Sequence, residues 1–116
     1  MQTDATEVTR EIDLPAEPDE VWDALTRPEL LEQWLANDVE IEPWDGGGID
    51  VATEEGEHRR GVVERAERPE RLIIHWWEVR PDDSTRVEFR VVGLPAGGSR
   101  LRVTETRTTL PMAVAH

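Results

Sequence analysis

The sequence predicts an α+β fold in which an antiparallel sheet of about six to seven strands carries two short helices between its first and second strands. Three observations lead there. The apolar residues alternate with a period of 2 near the N-terminus, switch to a period near 3.6 between Pro18 and Leu35, and return to a period of 2 from Asp38 onward. Clusters rich in Gly, Pro and Asp divide the later part into strands joined by turns too short for crossover helices. The whole is 116 residues long, enough for one hydrophobic core and no more, so residues 1–116 are read as a single domain.

The first strand is placed at Glu7 to Leu14, where Val8, Ile12 and Leu14 share one parity and Arg10 interrupts their apolar face. Pro15 and Pro18 end it. Pro18 suits the first position of a helix, where its missing N–H leaves no bond unmade, and Asp19 and Glu20 complement the positive helix end. Val21, Trp22 and Leu25 form the apolar stripe of this helix, and after Pro28 the residues Leu30, Leu31, Trp34 and Leu35 form that of a second. Val39 with Ile41, and Ile49 with Val51, then mark two strands around the reversal at Gly46, Gly47 and Gly48. Further strands are expected at Arg60 to Ala66, Leu72 to Val79, around Val87, Phe89 and Val91, and around Leu101 and Val103. Pro81 to Ser84 and Pro95 to Ser99 read as hairpin loops.

Charge narrows the choice of partners. Against 13 basic residues, all of them Arg, stand 26 acidic ones, a formal net charge of -13. Such a field repels phosphate backbones and anionic lipid headgroups, so nucleic acid and membrane surfaces are not expected partners. With no Cys there is no disulfide framework, thiolate metal site or cysteine nucleophile. The opening MQTDATE has neither a basic region nor an apolar run, and no segment approaches the roughly 20 apolar residues of a membrane span. The expectation is a soluble cytoplasmic protein.

Several ordered motifs carry a likeness to a known family: Val21-Trp22 with Leu25; Pro28, Leu31 and Trp34; Gly47-Gly48 after Pro43; Gly61 with Val63; Pro69-Glu70-Arg71-Leu72 with Trp76; and Leu101-Arg102-Val103-Thr104. In this order and spacing, over residues 7–109, the chain resembles the SRPBCC or START-like superfamily. Within it the chain is most similar to the branch named after the activator of the 90-kDa heat-shock-protein ATPase. The resemblance implies a helix-grip fold, a curved sheet whose concave face forms a pocket. It also implies a long C-terminal helix across that face, whereas only Leu110 to His116 follow the last strand, at most about two helical turns at about 1.5 Å per residue. An apolar sheet face left uncovered is rarely tolerated in a monomer, which leads to the expectation of a homodimer or another protein partner.

The candidate ligand contacts are Trp44, Glu64, Ile74, Trp76 and Phe89. Trp76 shares parity with Leu72 and Ile74, and in this fold the wall of the pocket and the core are one surface, so packing and ligand contact both stand as readings. Trp77, with Ile73 and His75, is expected on the opposite face. Trp44, before the glycine turn, is either a pocket rim or a cap on the sheet. Glu64 shares parity with Val62 and Ala66 and is read two ways: as a cavity acid with a raised pKa, or as a surface carboxylate paired with Arg59 or Arg60.

Catalytic and metal residues are assigned to none. His58, His75 and His116 lack metal-ligand spacing, and Ser84 and Ser99 lack a nucleophile-elbow context. No cofactor is implied. The leading expectation is a non-enzymatic domain that binds a small hydrophobic ligand or a protein partner on the concave face. An enzyme resembling polyketide cyclases or hydrolases is the alternative, with Glu64 or His75 as acid or base. A co-chaperone-like activator acting by surface docking is a third reading that the family likeness implies.

Overall fold

A computed structural model describes residues 4–33, 38–52, 56–78 and 83–109. The elements run β1 (Asp4–Leu14), α1 (Pro18–Thr26), α2 (Pro28–Leu31), β2 (Asp38–Ile41), β3 (Gly48–Ala52), β4 (His58–Glu67), β5 (Arg71–Trp77), β6 (Asp83–Gly93) and β7 (Ser99–Thr109). The seven strands form one sheet in the order β1-β7-β6-β5-β4-β3-β2, and every neighbouring pair is antiparallel. The predicted class and element order are those observed. Trp34, Leu35, Val79, Pro81, Asp82 and the tail from Leu110 to His116 lie outside the described residues.

Two boundaries differ from expectation for one reason. Ser84 and Ser99, read as loop residues, are the second residue of β6 and the first of β7, because Ser84 pairs with Trp77 and Ser99 with Gly93 and Leu14. Turn-forming residues signal a reversal but not how far the ladder runs into it, since pairing with a neighbouring strand overrides weak strand propensity.

The helices pack on one face of the sheet. Val21, Trp22, Leu25 and Leu31 are buried against Val39, Ile49, Val51, Val63, Leu72, Ile74, Trp76, Val87 and Val91. Cross-strand register puts these sheet residues on a common side, with Val63 opposite Ile74, Ile74 opposite Val87, and Leu72 opposite Phe89. The entry to α1 is tied down from across the chain. Glu17 N–H donates to Glu20 Oε1 at 3.1 Å, Gly98 N–H donates to Glu17 Oε2 at 2.6 Å, and Ser99 Oγ donates to the Ala16 carbonyl at 2.8 Å. The β6–β7 turn thereby fixes where the helices leave β1. Gly98 makes this approach with φ +83° beside the Leu14 carbonyl, a conformation and a clearance that a Cβ would not tolerate.

Candidate functional site

Between the helices and the centre of the sheet lies a cavity of about 340 Å³ lined mainly by Leu25, Leu31, Ile49, Ile74, Trp76, Val87, Phe89 and Val103. Three charged side chains share its wall: Arg10 from β1, Arg59 from β4 and Glu105 from β7. Its size falls at the lower end of the roughly 300–1,000 Å³ typical of small-molecule sites. Larger recesses exist, one of about 470 Å³ over β2 and β3 and one of about 500 Å³ beside α1 and α2. These are bordered by Glu40, Glu42, Asp50 and Arg60, or by Asp23, Arg27, Glu29 and Arg68, and so lack a continuous apolar wall.

The wall follows from strand alternation. Ile74 and Trp76 are two apart on β5, Val87 and Phe89 on β6, and Val103 and Glu105 on β7, so each pair faces the same side. Gly61 lies opposite Trp76, and a Cβ there would collide with the His75 carbonyl and come within 2.7 Å of Trp76 Cα. The glycine therefore lets β4 close on β5 where the indole leaves the backbone. Trp76 is 8% exposed, and its Nε1 is buried with no hydrogen-bond acceptor among the described residues. The Arg59 guanidinium carbon stands 5.4 Å from the indole centroid, within cation–π range, and its Nη2 lies 3.5 Å from Glu78 Oε1.

The structure brings Ile74, Trp76 and Phe89 together on this wall and leaves Trp44 and Glu64 apart from it. Trp44 is 57% exposed in the β2–β3 connection. Its backbone is held by a bond from Trp44 N–H to the Glu42 carbonyl and by one from Gly47 N–H to its own carbonyl, both 2.8 Å.

Glu64, read from its parity as a cavity candidate, lies on the convex side and accepts a hydrogen bond from Arg86 Nε at 2.9 Å. Alternation from Val62, which faces outward, already sends Glu64 to that side, and the β-bulge between Val63 and Arg65 breaks the shared parity only after it, by turning Ala66 back toward the core. Val63 and Ala66 both pack toward the core, while Val62 is exposed. The bulge is also where the glycine turn docks. Gly46 N–H donates to the Val63 carbonyl at 2.8 Å, Val63 N–H to the Gly47 carbonyl at 2.7 Å, and Ala66 N–H to Asp45 Oδ1 at 2.8 Å.

His75 is a satisfied imidazole on the convex face. Its Nε2 shares a 2.7 Å hydrogen bond with Ser84 Oγ, and its ring meets Trp77 edge-on at 6.0 Å. Ser84 is only 8% exposed, so the contact reads as strand packing. His58 is exposed and bonds the Asp50 carboxylate. Among the described residues no cluster of three or more His, Cys, Asp or Glu side chains is arranged to hold a metal ion.

Arg10 and Arg59 were missed as cavity residues. Arg10 carried a signal, since it breaks an otherwise apolar strand face. Its position on the cavity wall depends on pairing with Val103, 93 residues away by number, which alternation within β1 does not disclose.

Comparison with known proteins gives a consistent picture. A family model described as "Activator of Hsp90 ATPase homolog 1-like protein" matches residues 15–115. A Rhodobacter sphaeroides protein of known structure is 31% identical, with a TM-score of 0.68 over 86% of this chain and 71% of its own. A Mesorhizobium loti protein is 25% identical, with a TM-score of 0.78 over 86% of this chain and 75% of its own. The Aha1 dimer from Colwellia psychrerythraea shares the fold at 19% identity, with a TM-score of 0.75 over 85% of this chain and 74% of its own. No curated protein matches the chain. No described helix is long and apolar enough to cross a membrane.

Proposed function

Because the chain belongs to the family of activator of Hsp90 ATPase homolog 1-like proteins, we propose that it acts as a non-enzymatic START-like domain that binds a small apolar ligand in the cavity over β5, β6 and β7. The observation that carries this reading is the continuous apolar wall of Ile74, Trp76, Val87, Phe89 and Val103 beneath Leu25 and Leu31. Removing about 200 Å² of ligand surface from water is worth about 5 kcal/mol before the costs of association. The carboxylate and imidazole on which an enzymatic role would rest, Glu64 and His75, are engaged with Arg86 and Ser84 away from that wall.

Titration with the neutral apolar fluorophore N-phenyl-1-naphthylamine tests this reading. Saturable binding at one site per chain is expected, and it should be lost when Val103→Trp fills the cavity. Absence of saturable binding to the folded protein would remove the basis for the proposal.

A second copy of the chain is a further occupant of the concave side, favoured by one observation. Val8 and Ile12 are 44% and 55% exposed, and their register with Glu105 and Leu101 puts them on the cavity's side of the sheet at its β1 edge. Exposed aliphatic residues flanking an apolar cavity are what a protein contact would cover. Native mass spectrometry at micromolar concentration reads this directly, a dimer being expected and a monomer alone speaking against it.

A further inference from the structure

The charged groups on the cavity wall specify more than an apolar ligand. In a chain of formal net charge -13, this wall carries two guanidiniums and one carboxylate, Arg10, Arg59 and Glu105. Among the described residues most Arg side chains near a carboxylate are paired, as Arg100 is with Asp13, Arg102 with Glu11, Arg86 with Glu64 and Arg68 with Asp19 and Asp23. Arg10 lies diagonal to Glu105 on the neighbouring β7, yet it makes no ion pair among the described residues. Its neighbours on the same strand face, Val8 and Ile12, are apolar, and its cross-strand partner is Val103.

A second observation is independent of charge. Trp76 Nε1 is a fully buried donor with no acceptor among the described residues, on a side chain that lines the same cavity. A buried donor left unpaired costs about 1–3 kcal/mol relative to a paired one, so native structures supply a partner for most of them. Nε1 is closed to a water-sized atom, so a ligand oxygen in the cavity reaches it only with a small turn of the indole.

We infer that the cavity takes an amphiphilic carboxylate, whose apolar body lies on Ile74, Trp76, Val87 and Phe89 and whose ionised head is held by Arg10 at the β1 side of the wall. A guanidinium matches a carboxylate by two parallel hydrogen bonds, and Arg10, unlike Arg59 beside Glu78, has no carboxylate partner among the described residues. Glu105 on the same wall disfavours a second negative group, which points to a monoanion. This inference rests on the cavity being a ligand site, and it goes further by naming the head group.

Displacement of bound N-phenyl-1-naphthylamine by decanoate and by 1-decanol at neutral pH tests it. The two competitors share their chain and differ in the head. Decanoate is expected to displace the fluorophore at a concentration at least tenfold below that of decanol, although its charge makes it the more water-soluble of the two. Arg10→Gln should raise the decanoate concentration required about tenfold, leave decanol unchanged, and be largely reversed by Arg10→Lys. Arg10 sits exposed on an edge strand, and unchanged thermal unfolding of the variants would confirm that the effect is local. Equal or better displacement by decanol, or a decanoate response insensitive to Arg10→Gln, would overturn the carboxylate assignment while leaving the apolar cavity standing. Failure of the fluorophore itself to bind would sink both readings.

Discussion

Arg59 lies with its guanidinium carbon 5.4 Å from the indole centroid of Trp76, so a cation is seated on the aromatic wall of the cavity. Arg59 also faces Glu78 at 3.5 Å, and its side chain is 38% exposed, which limits the strength of both contacts. Arg59→Met keeps most of the aliphatic stem and removes the charge. It should lower stability by about 0.5–1 kcal/mol in urea unfolding, and a loss well above that would mean that Arg59 organises β4 rather than decorating it.

Glu64 is expected to be dispensable for ligand binding. Its bond to Arg86 is a partly exposed ion pair, with side chains 35% and 45% exposed, and such pairs contribute about 0–1 kcal/mol. Glu64→Gln should shift the urea midpoint only slightly and leave fluorophore affinity unaltered. Altered affinity would place the carboxylate in communication with the cavity after all.

Gly61 should resist substitution. A methyl group there runs into the His75 carbonyl and the Trp76 backbone, neither of which has a flexible end to swing aside. Gly61→Ala is expected to cost on the order of 2 kcal/mol through overpacking and to weaken fluorophore binding by displacing Trp76. Retention of wild-type stability would show that β4 and β5 separate more readily than their geometry implies.

Leu72 is fully buried between Ala66 and Phe89 and anchors the strand that supplies Ile74 and Trp76. Leu72→Ala should destabilise the fold by about 2–5 kcal/mol, combining lost transfer energy with the cavity left behind. Equilibrium unfolding monitored by circular dichroism would measure it, and a cost under about 1 kcal/mol would contradict a core packed around this residue.

Asp13 and Arg100 link acid stability to the β1–β7 edge. Hydrogen bonds of 2.8 and 3.1 Å from Arg100, reinforced by its charge, hold the Asp13 carboxyl below its ordinary value of 3.8. With the folded-state value depressed, the contribution is fully present above the unfolded carboxyl value and is lost as pH falls through the folded one. Asp13→Asn should therefore reduce stability at neutral pH slightly and flatten its decline below about pH 4. An identical acid limb in both proteins would show that the exposed pair is screened to insignificance.

The sequence by itself determined the antiparallel α+β architecture, the order of its elements, and the shared facing of Ile74 with Trp76 along one strand and of Val87 with Phe89 along another. Those features rest on periodicity, which is local: a period of 2 sends alternate side chains to one face wherever the ladder is regular. Irregularity and long-range register were decided only in three dimensions. The bulge broke the parity that Val62 and Glu64 share with Ala66, leaving the first two on the convex side and Ala66 toward the core, and the pairing of β1 with β7 placed Arg10 beside Val103 and Glu105. The union of Arg10 and Arg59 with an apolar wall is likewise a tertiary outcome. No periodicity within a strand encodes which side chains from distant segments a folded sheet brings into the same hollow.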